Sequence, residues 1–449
     1  MKKIVSMLLA LIMMMSLAGG TLAEEPIVLR FWGALQPEYG YAEIEKNFNE
    51  QFKDKGVQVE YVRYVNNADG NMQLETYLMA GGEIDVFIGY KDIGTVKQRV
   101  DAGLMLDMTD YLAARNFDPV AAVGAGSVSN FLVDGRYYAV PTRYENPSWM
   151  MVNVDMLKAA GLEVPYDGWT YEEFRDYAKK LTSGEGYDKV YGMFWGGTAL
   201  RGAFKTLLGS VLDKYSVYKN DECTESNFDH PAFAATLQLM VDLSVTDGSA
   251  PSFADEMAGG LSFANMFLEG KAAMTMGISQ VRVLKDIVNY PHDFTTALVP
   301  FPVPDASYLE TAGQHAYYNG AGDTISVASK TEHPEEAVDF AIWYITEGMI
   351  PLASINRIPL YSEVDQESVI QALNNVEGVL DEQSVINYVT IDQSNVSVVG
   401  DRPYWAKAQI DTVMTEEIEA AMNGQKDVAT ALADMKTRAD ALIKDAMAK

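Results

Sequence analysis

From Ile27 onward, short apolar runs alternate with longer stretches whose apolar residues recur every three to four positions, and this alternation leaves few folds open. Ile27 to Phe31, Val57 to Val65 and Asp85 to Ile88 read as strands, and Tyr41 to Phe52 reads as the helix between the first two. Gly81-Gly82 punctuates the chain just before the third strand. Strand, helix, strand in succession predicts parallel pairing with right-handed crossovers, hence an α/β unit with helices on its sheet. No repeat period, low-complexity tract or long linker interrupts the rhythm.

A second unit of the same kind is expected after Tyr137-Tyr138-Ala139-Val140-Pro141. Thr170-Tyr171-Glu172-Glu173 has the form of a capping box, and Phe174, Tyr177, Ala178 and Leu181 follow at helical spacing, so a helix begins there. Tyr191 to Phe194, Ala272 to Met276 and Ile325 to Ala328 read as further strands. Ala297 to Pro304 carries Pro300, Pro302 and Pro304, which cannot donate inside a sheet, and is expected to be a segment crossing between units. A helix opens at Pro334 and runs through Ala337, Phe340, Ala341 and Tyr344. Val428, Leu432, Met435, Ala439 and Leu442 form a terminal helical stripe, too short for a coiled coil.

Ahead of the first strand, Lys2 and Lys3, the apolar run Ile4 to Leu17 and the small residues up to Thr21-Leu22-Ala23 have the layout of an export signal, with cleavage expected after Ala23. The apolar run is shorter than the roughly 18 residues that span a bilayer. No cysteine lies near that point to take a lipid, so release into a periplasm or the medium is expected. The single cysteine, Cys223, offers no internal disulfide despite an oxidising destination. The formal charge of −29 becomes two units more negative without Lys2 and Lys3, a field that repels nucleic acid and anionic membranes.

Four segments carry a resemblance to a known family. They are Tyr138 to Pro141 with Met151-Val152-Asn153-Val154-Asp155 to Leu162 and Trp169-Thr170-Tyr171-Glu172-Glu173-Phe174; Phe267-Leu268-Glu269-Gly270-Lys271-Ala272-Ala273-Met274; Ser329 to Phe340; and the helix from Gly424 to Leu442. In this order they resemble family 1 extracellular solute-binding proteins of ABC transporters, the class that includes maltose receptors. The resemblance implies a two-lobed α/β fold of the class II periplasmic-binding-protein type, each lobe a mostly parallel sheet flanked by helices. The lobes are then expected over 24–141 with 300–346 and over 142–299 with 347–449, after a signal peptide at 1–23, with crossings near 141–145, 298–303 and 345–350. It further implies a carbohydrate in the cleft, membrane permease subunits as partners and no catalysis. A monomer without cofactor or metal is expected.

Ligands of open α/β sheets lie beyond the carboxyl ends of strands. That rule selects Trp32 after the first strand, Tyr90 and Asp92 after the third, Tyr144 and Glu145 after the crossing strand, Trp195 after Tyr191 to Phe194, and Ser279 and Gln280 after Ala272 to Met276. Sugars need flat apolar faces and fixed polar partners, which tryptophan, acidic and amide side chains supply. Trp405, in Arg402-Pro403-Tyr404-Trp405 before a long helix, resembles the family's sugar-stacking Phe-Trp pair, and Glu145 and Asp92 match its hydroxyl-binding carboxylates. Gln280 stands where many relatives carry a tryptophan. Tyr318, Asn319 and Arg402 complete the candidate set, while Trp169 and Trp343 read as core.

His230, His292, His315 and His333 are scattered, and neither a metalloprotease motif nor a nucleophile elbow is present. The rival reading is an exported carbohydrate-active enzyme using paired carboxylates. A third is a sugar receptor serving a sensor.

Overall fold

A computed structural model describes residues 26–90, 93–129, 131–143, 149–196, 200–209, 211–212, 217–258, 260–313, 323–391 and 403–448. The expected signal peptide lies outside the described residues. In the first lobe, β1 (Ile27–Gly33) pairs in parallel with β2 (Val57–Arg63) on one side and β3 (Val86–Gly89) on the other. Helices α1 (Tyr41–Phe52), α2 (Ala68–Ala80) and α3 (Ile93–Asp101) connect and follow these strands. Asn67 caps α2 by accepting from the Gly70 amide, a bond that contributes about 1 kcal/mol.

The chain leaves this lobe through β4 (Val140–Pro141) and enters the second through β5 (Trp149–Asn153), whose sheet is completed by β6 (Tyr191–Phe194), β7 (Ala272–Thr275) and β8 (Thr296–Pro300). It then returns through β9 (Thr324–Val327) to the first sheet. The strand orders are β2-β1-β3-β9-β4 and β8-β5-β7-β6. In each sheet a single strand runs against the others: β9 is antiparallel to β3 and β4, and β5 is antiparallel to β8 and β7. Both odd strands are the first entered after a crossing. A chain arriving from the other lobe must start its strand at the edge facing the crossing, where the remaining strands end, so connectivity forces the reversal. Thr324 accordingly pairs with Gly89 and Pro141, the last residues of β3 and β4. Trp149 pairs with Pro300, the last of β8.

Alternation along the strands then fixes the cores. Leu29 and Phe31 face α1 and α9 (Pro334–Trp343), where the Phe31 ring meets Tyr41, Tyr61, Phe340 and Tyr344 at centroid distances of 4.9–5.7 Å. Such pairs add about 0.5–1.5 kcal/mol each beyond burial. Trp32 and Phe87 point to the opposite face, against Leu74, Leu78 and Val96 of α2 and α3. In the second sheet Met150 and Val152 face one core while Trp149 and Met151 face another. The first of these cores holds α4 (Tyr171–Leu181), α5 (Leu200–Gly209), α6 (Pro231–Val241), α12 (Lys407–Met422) and α13 (Val428–Met447). The second holds residues of α8 (Val281–Lys285), α10 (Gln366–Leu373) and α11 (Glu382–Thr390) and runs on into the first lobe. Between α6 and β7 lies α7 (Phe253–Ala258). The capping box at α4 is present in full, with Thr170 and Glu173 bonded reciprocally.

Two sequence expectations shift. The proline-bearing segment from Ala297 begins as strand β8 rather than as a crossing; it is an edge strand, and only Pro300 at its last position lacks a donor. Phe301, Val303, Tyr308, Leu309 and Ala312 still pack in the second lobe, so residues 301–313 belong there and the return crossing comes later than 298–303. At the third crossing the helical winding changes from α to a π turn at Tyr344–Gly348 and then to a 3₁₀ turn at Ile350–Ile355.

Candidate functional site between the lobes

Both sheets turn their carboxyl edges toward the crossings. On the first lobe Tyr90 follows β3, Thr142 and Arg143 follow β4, and Asp323 immediately precedes β9. On the second, Trp195 and Gly196 follow β6, and a 3₁₀ turn at Ile278–Gln280 follows β7. The crossings hold to one another through backbone bonds: the Thr142 amide and hydroxyl both donate to the Asp323 carbonyl at 3.0 Å, and the Leu360 amide donates to the Thr142 carbonyl at 2.9 Å. Their side chains converge on one carboxylate. Arg143 Nε lies 3.0 Å from Asp323 Oδ2, and the Arg357 guanidinium reaches the same oxygen. The Arg357 guanidinium carbon also lies 5.7 Å from the Tyr90 ring centroid.

Tyr90 is thereby fixed from several sides. Its hydroxyl accepts from the Ala34 amide at 3.0 Å and lies 3.5 Å from the Tyr41 hydroxyl, and burial holds its phenol well above the usual range. Ser279 is exposed and Gln280 half-buried. Their turn touches the third crossing, since Asn356 Nδ2 donates to the Ile278 carbonyl at 3.1 Å. Close by, the Arg282 guanidinium stands 4.9 Å over the ring of Tyr39, bringing the second lobe against the first.

Trp405 is half-buried at the entry to α12. Its neighbours Tyr404 and Ala406 both have left-handed backbones, with φ of 33° and 55°. Two departures of this kind on either side of one residue, at residues other than glycine, cost on the order of 1–3 kcal/mol each and persist only where surroundings enforce them. Here the Tyr218 hydroxyl donates to the Trp405 carbonyl at 2.9 Å, and the Trp405 indole donates to the Glu222 carbonyl at 3.2 Å. The turn therefore presents one ring in one orientation.

Two candidates turn out to be core residues in this structure. Trp195 is fully buried, its indole donating to Ser244 Oγ at 3.1 Å, and it leaves no face for a ligand. Trp32 is 5% exposed, donates to the Glu83 carbonyl at 2.9 Å and packs on Tyr64 and Tyr77. A place at a strand end, Trp32 within β1 and Trp195 just after β6, did not carry either indole past the sheet edge, because Trp32 turns onto Tyr77 of α2 and Trp195 onto Ser244. Asp92, Tyr144, Glu145, Tyr318, Asn319 and Arg402 lie outside the described residues.

Sequence reading passed over Arg143, Asp323, Glu256 and Lys285. Arg143 and Asp323 border strands at the crossings, whereas Glu256 lies within α7 and Lys285 ends α8, and nothing in the local sequence sets any of them apart from the many other charged side chains. Lys285 of α8 is held by carbonyls alone, donating to Ser354 at 2.7 Å and Leu373 at 2.8 Å, and burial draws its pKa down to about 7. The Glu256 carboxylate is hydrogen-bonded by the Trp195 backbone while its Oε1 is buried without a partner; burial raises its pKa to about 7. Among the described residues no group of three or more His, Cys, Asp or Glu side chains is placed to hold a metal, and no helix is long and apolar enough to cross a membrane.

Two lobes with opposed strand edges over three crossings define a hinged binding protein. Residues 34–349 match the bacterial extracellular solute-binding protein family, and the chain belongs to it. This is a family of binding proteins serving ABC importers, which removes the glycan-cleaving alternative. An uncharacterized lipoprotein in the oleD 5′ region of Streptomyces antibioticus is 26% identical over 340 residues, 73% of this chain and 70% of that one. Among solved structures, a Rhizobium etli sugar transporter in an open conformation aligns with TM-score 0.66 and 21% identity over 92% of this chain and 99% of its own. A cyclic α-maltosyl-1,6-maltose binding protein from Arthrobacter globiformis aligns with TM-score 0.60 and 18% identity over 94% of this chain and all of its own.

Proposed function

We propose that this chain is an exported, monomeric receptor that encloses a carbohydrate, an oligosaccharide in the first instance, between its lobes and delivers it to the permease subunits of an ABC importer. The observation that carries the reading is the strained, doubly anchored turn that presents Trp405. An aromatic ring fixed at a cost to backbone stability is what a sugar face requires and what a folding core does not. Tyr90, Ser279 and Gln280 are proposed as further contacts because they stand beyond strand ends; Asp92 and Glu145 are carried on the family resemblance, Tyr144 on its place after the crossing strand, and Tyr318, Asn319 and Arg402 as polar candidates from the sequence. The ligand named for the Arthrobacter globiformis protein supports a glucan as the first class to test.

The energetics are sufficient. A ring of roughly 150–250 Å² with half a face covered contributes about 1–3 kcal/mol at about 25 cal/mol per Å². Two such rings with a few hydrogen bonds reach the roughly −8 kcal/mol of micromolar binding. A sugar touching both lobes has extra affinity for the closed arrangement and shifts the population toward it. The export reading includes cleavage after Ala23.

A thermal-shift screen over monosaccharides, sugar alcohols and linear and cyclic α-glucans tests the proposal, because a ligand raises apparent stability by mass action. At least one glycan is expected to raise the melting temperature and to be recovered intact. Absence of any stabilising saccharide, or recovery of cleaved product, contradicts it.

A further inference from the structure

We infer that Asp323 is the positioning residue of the hinge: by holding one arginine from each of the other two crossings, it keeps the three crossings in register, so that the empty lobes turn about one axis. The inference rests on the hinged-receptor reading and adds a named pivot to it.

Each crossing contributes one member. Arg143 belongs to the segment after β4, Asp323 to the segment before β9, and Arg357 to the segment after the π and 3₁₀ turns. The Asp323 side chain is 3% exposed, against 12% and 17% for Arg143 and Arg357. Removing a carboxylate from water is costly unless opposite charges stay in place around it. Sliding one crossing past the others separates Asp323 from a guanidinium, whereas bending the chain on either side of the cluster does not. The cluster therefore admits rotation and resists shear.

The backbone supports the same motion. Residue 142 sits between its neighbours, donating to the Asp323 carbonyl and accepting from the Leu360 amide, while Arg143 is bridged to Pro359. Three strands of crossing chain are stitched at one level. From there Arg357 extends over the Tyr90 ring, so the pivot is coupled to a residue at the cleft edge of the first sheet.

Spin labels test the inference in the ligand-free protein. Met72 on the first lobe and Val288 on the second are 66% and 86% exposed, and the single native cysteine, Cys223, is buried, so Met72→Cys with Val288→Cys gives one label per lobe. Pulsed electron-electron distances are then compared between this pair alone and the pair carrying Asp323→Asn or Arg357→Lys. The expected result is a broader and displaced inter-lobe distribution in both variants, with Asp323→Glu intermediate. A distribution unchanged in folded Arg357→Lys, with only the melting temperature lowered, overturns the inference by reducing the cluster to ordinary stability. Arg357→Lys keeps a cation on the partly exposed arm and serves where Asp323→Asn does not fold. No sugar is needed, so failure here is distinct from failure of the carbohydrate screen.

Discussion

The Trp405 indole donates to the Glu222 backbone carbonyl at 3.2 Å, an anchor that holds the ring while leaving it half-buried. Replacement of Trp405 by alanine is expected to weaken binding of the stabilising sugar by about 2 kcal/mol or more. The unliganded melting temperature is expected to change little. Calorimetric titration of the variant checks this; unaltered affinity removes Trp405 from the site.

Ala406 carries a left-handed backbone that glycine adopts without strain. Ala406→Gly is expected to stabilise the empty protein by up to about 1 kcal/mol and to reduce sugar affinity, since the turn gains freedom it must lose on binding. Paired melting and titration measurements read the two opposed signs. A variant losing stability shows that the turn is not strained.

Trp343 and Trp195 should behave in the other way. Trp343 donates to Gln51 and edges against Phe48, while Trp195 is sealed in the second lobe. Substituting alanine at either is expected to cost about 3–5 kcal/mol of stability. Affinity in the folded fraction should be retained. Denaturant unfolding gives the first quantity and titration at low temperature the second.

Glu256 predicts a pH dependence. Burial raises its pKa from 4.5 to about 7, so the folded protein binds this proton more tightly than the unfolded chain does. Its contribution to stability is complete below the unfolded value and is lost as pH rises through about 7. Glu256→Gln, a neutral isostere, is expected to match the parent near pH 4.5 and to exceed it by about 1–3 kcal/mol at pH 8. Melting curves across that range decide it; a variant less stable at pH 8 shows that the charged carboxylate is structurally needed.

Much of this architecture was legible in local patterning. Strand β1, helix α1, the Thr170 cap, the Pro334 helix start and the terminal stripe depend on periodicity and capping chemistry within a few residues of one another, and all appear where the sequence places them. The return crossing was harder, because Pro300 is tolerated in β8 only by virtue of an edge position that sheet order determines. Trp32 and Trp195 share a strand-end context with Tyr90 and Gln280, and only the packing of α2 against one and Ser244 against the other shows them to be buried. The Arg143, Asp323 and Arg357 cluster joins three segments far apart in the chain, so no spacing could announce it.

The lobes are expected to close on a carbohydrate. Small-angle scattering of the protein alone and with the saccharide that most raises its melting temperature tests this directly. A smaller radius of gyration in the complex, saturating at the calorimetric stoichiometry of one sugar per chain, is the predicted result. A radius that stays constant while the sugar is bound contradicts the claim.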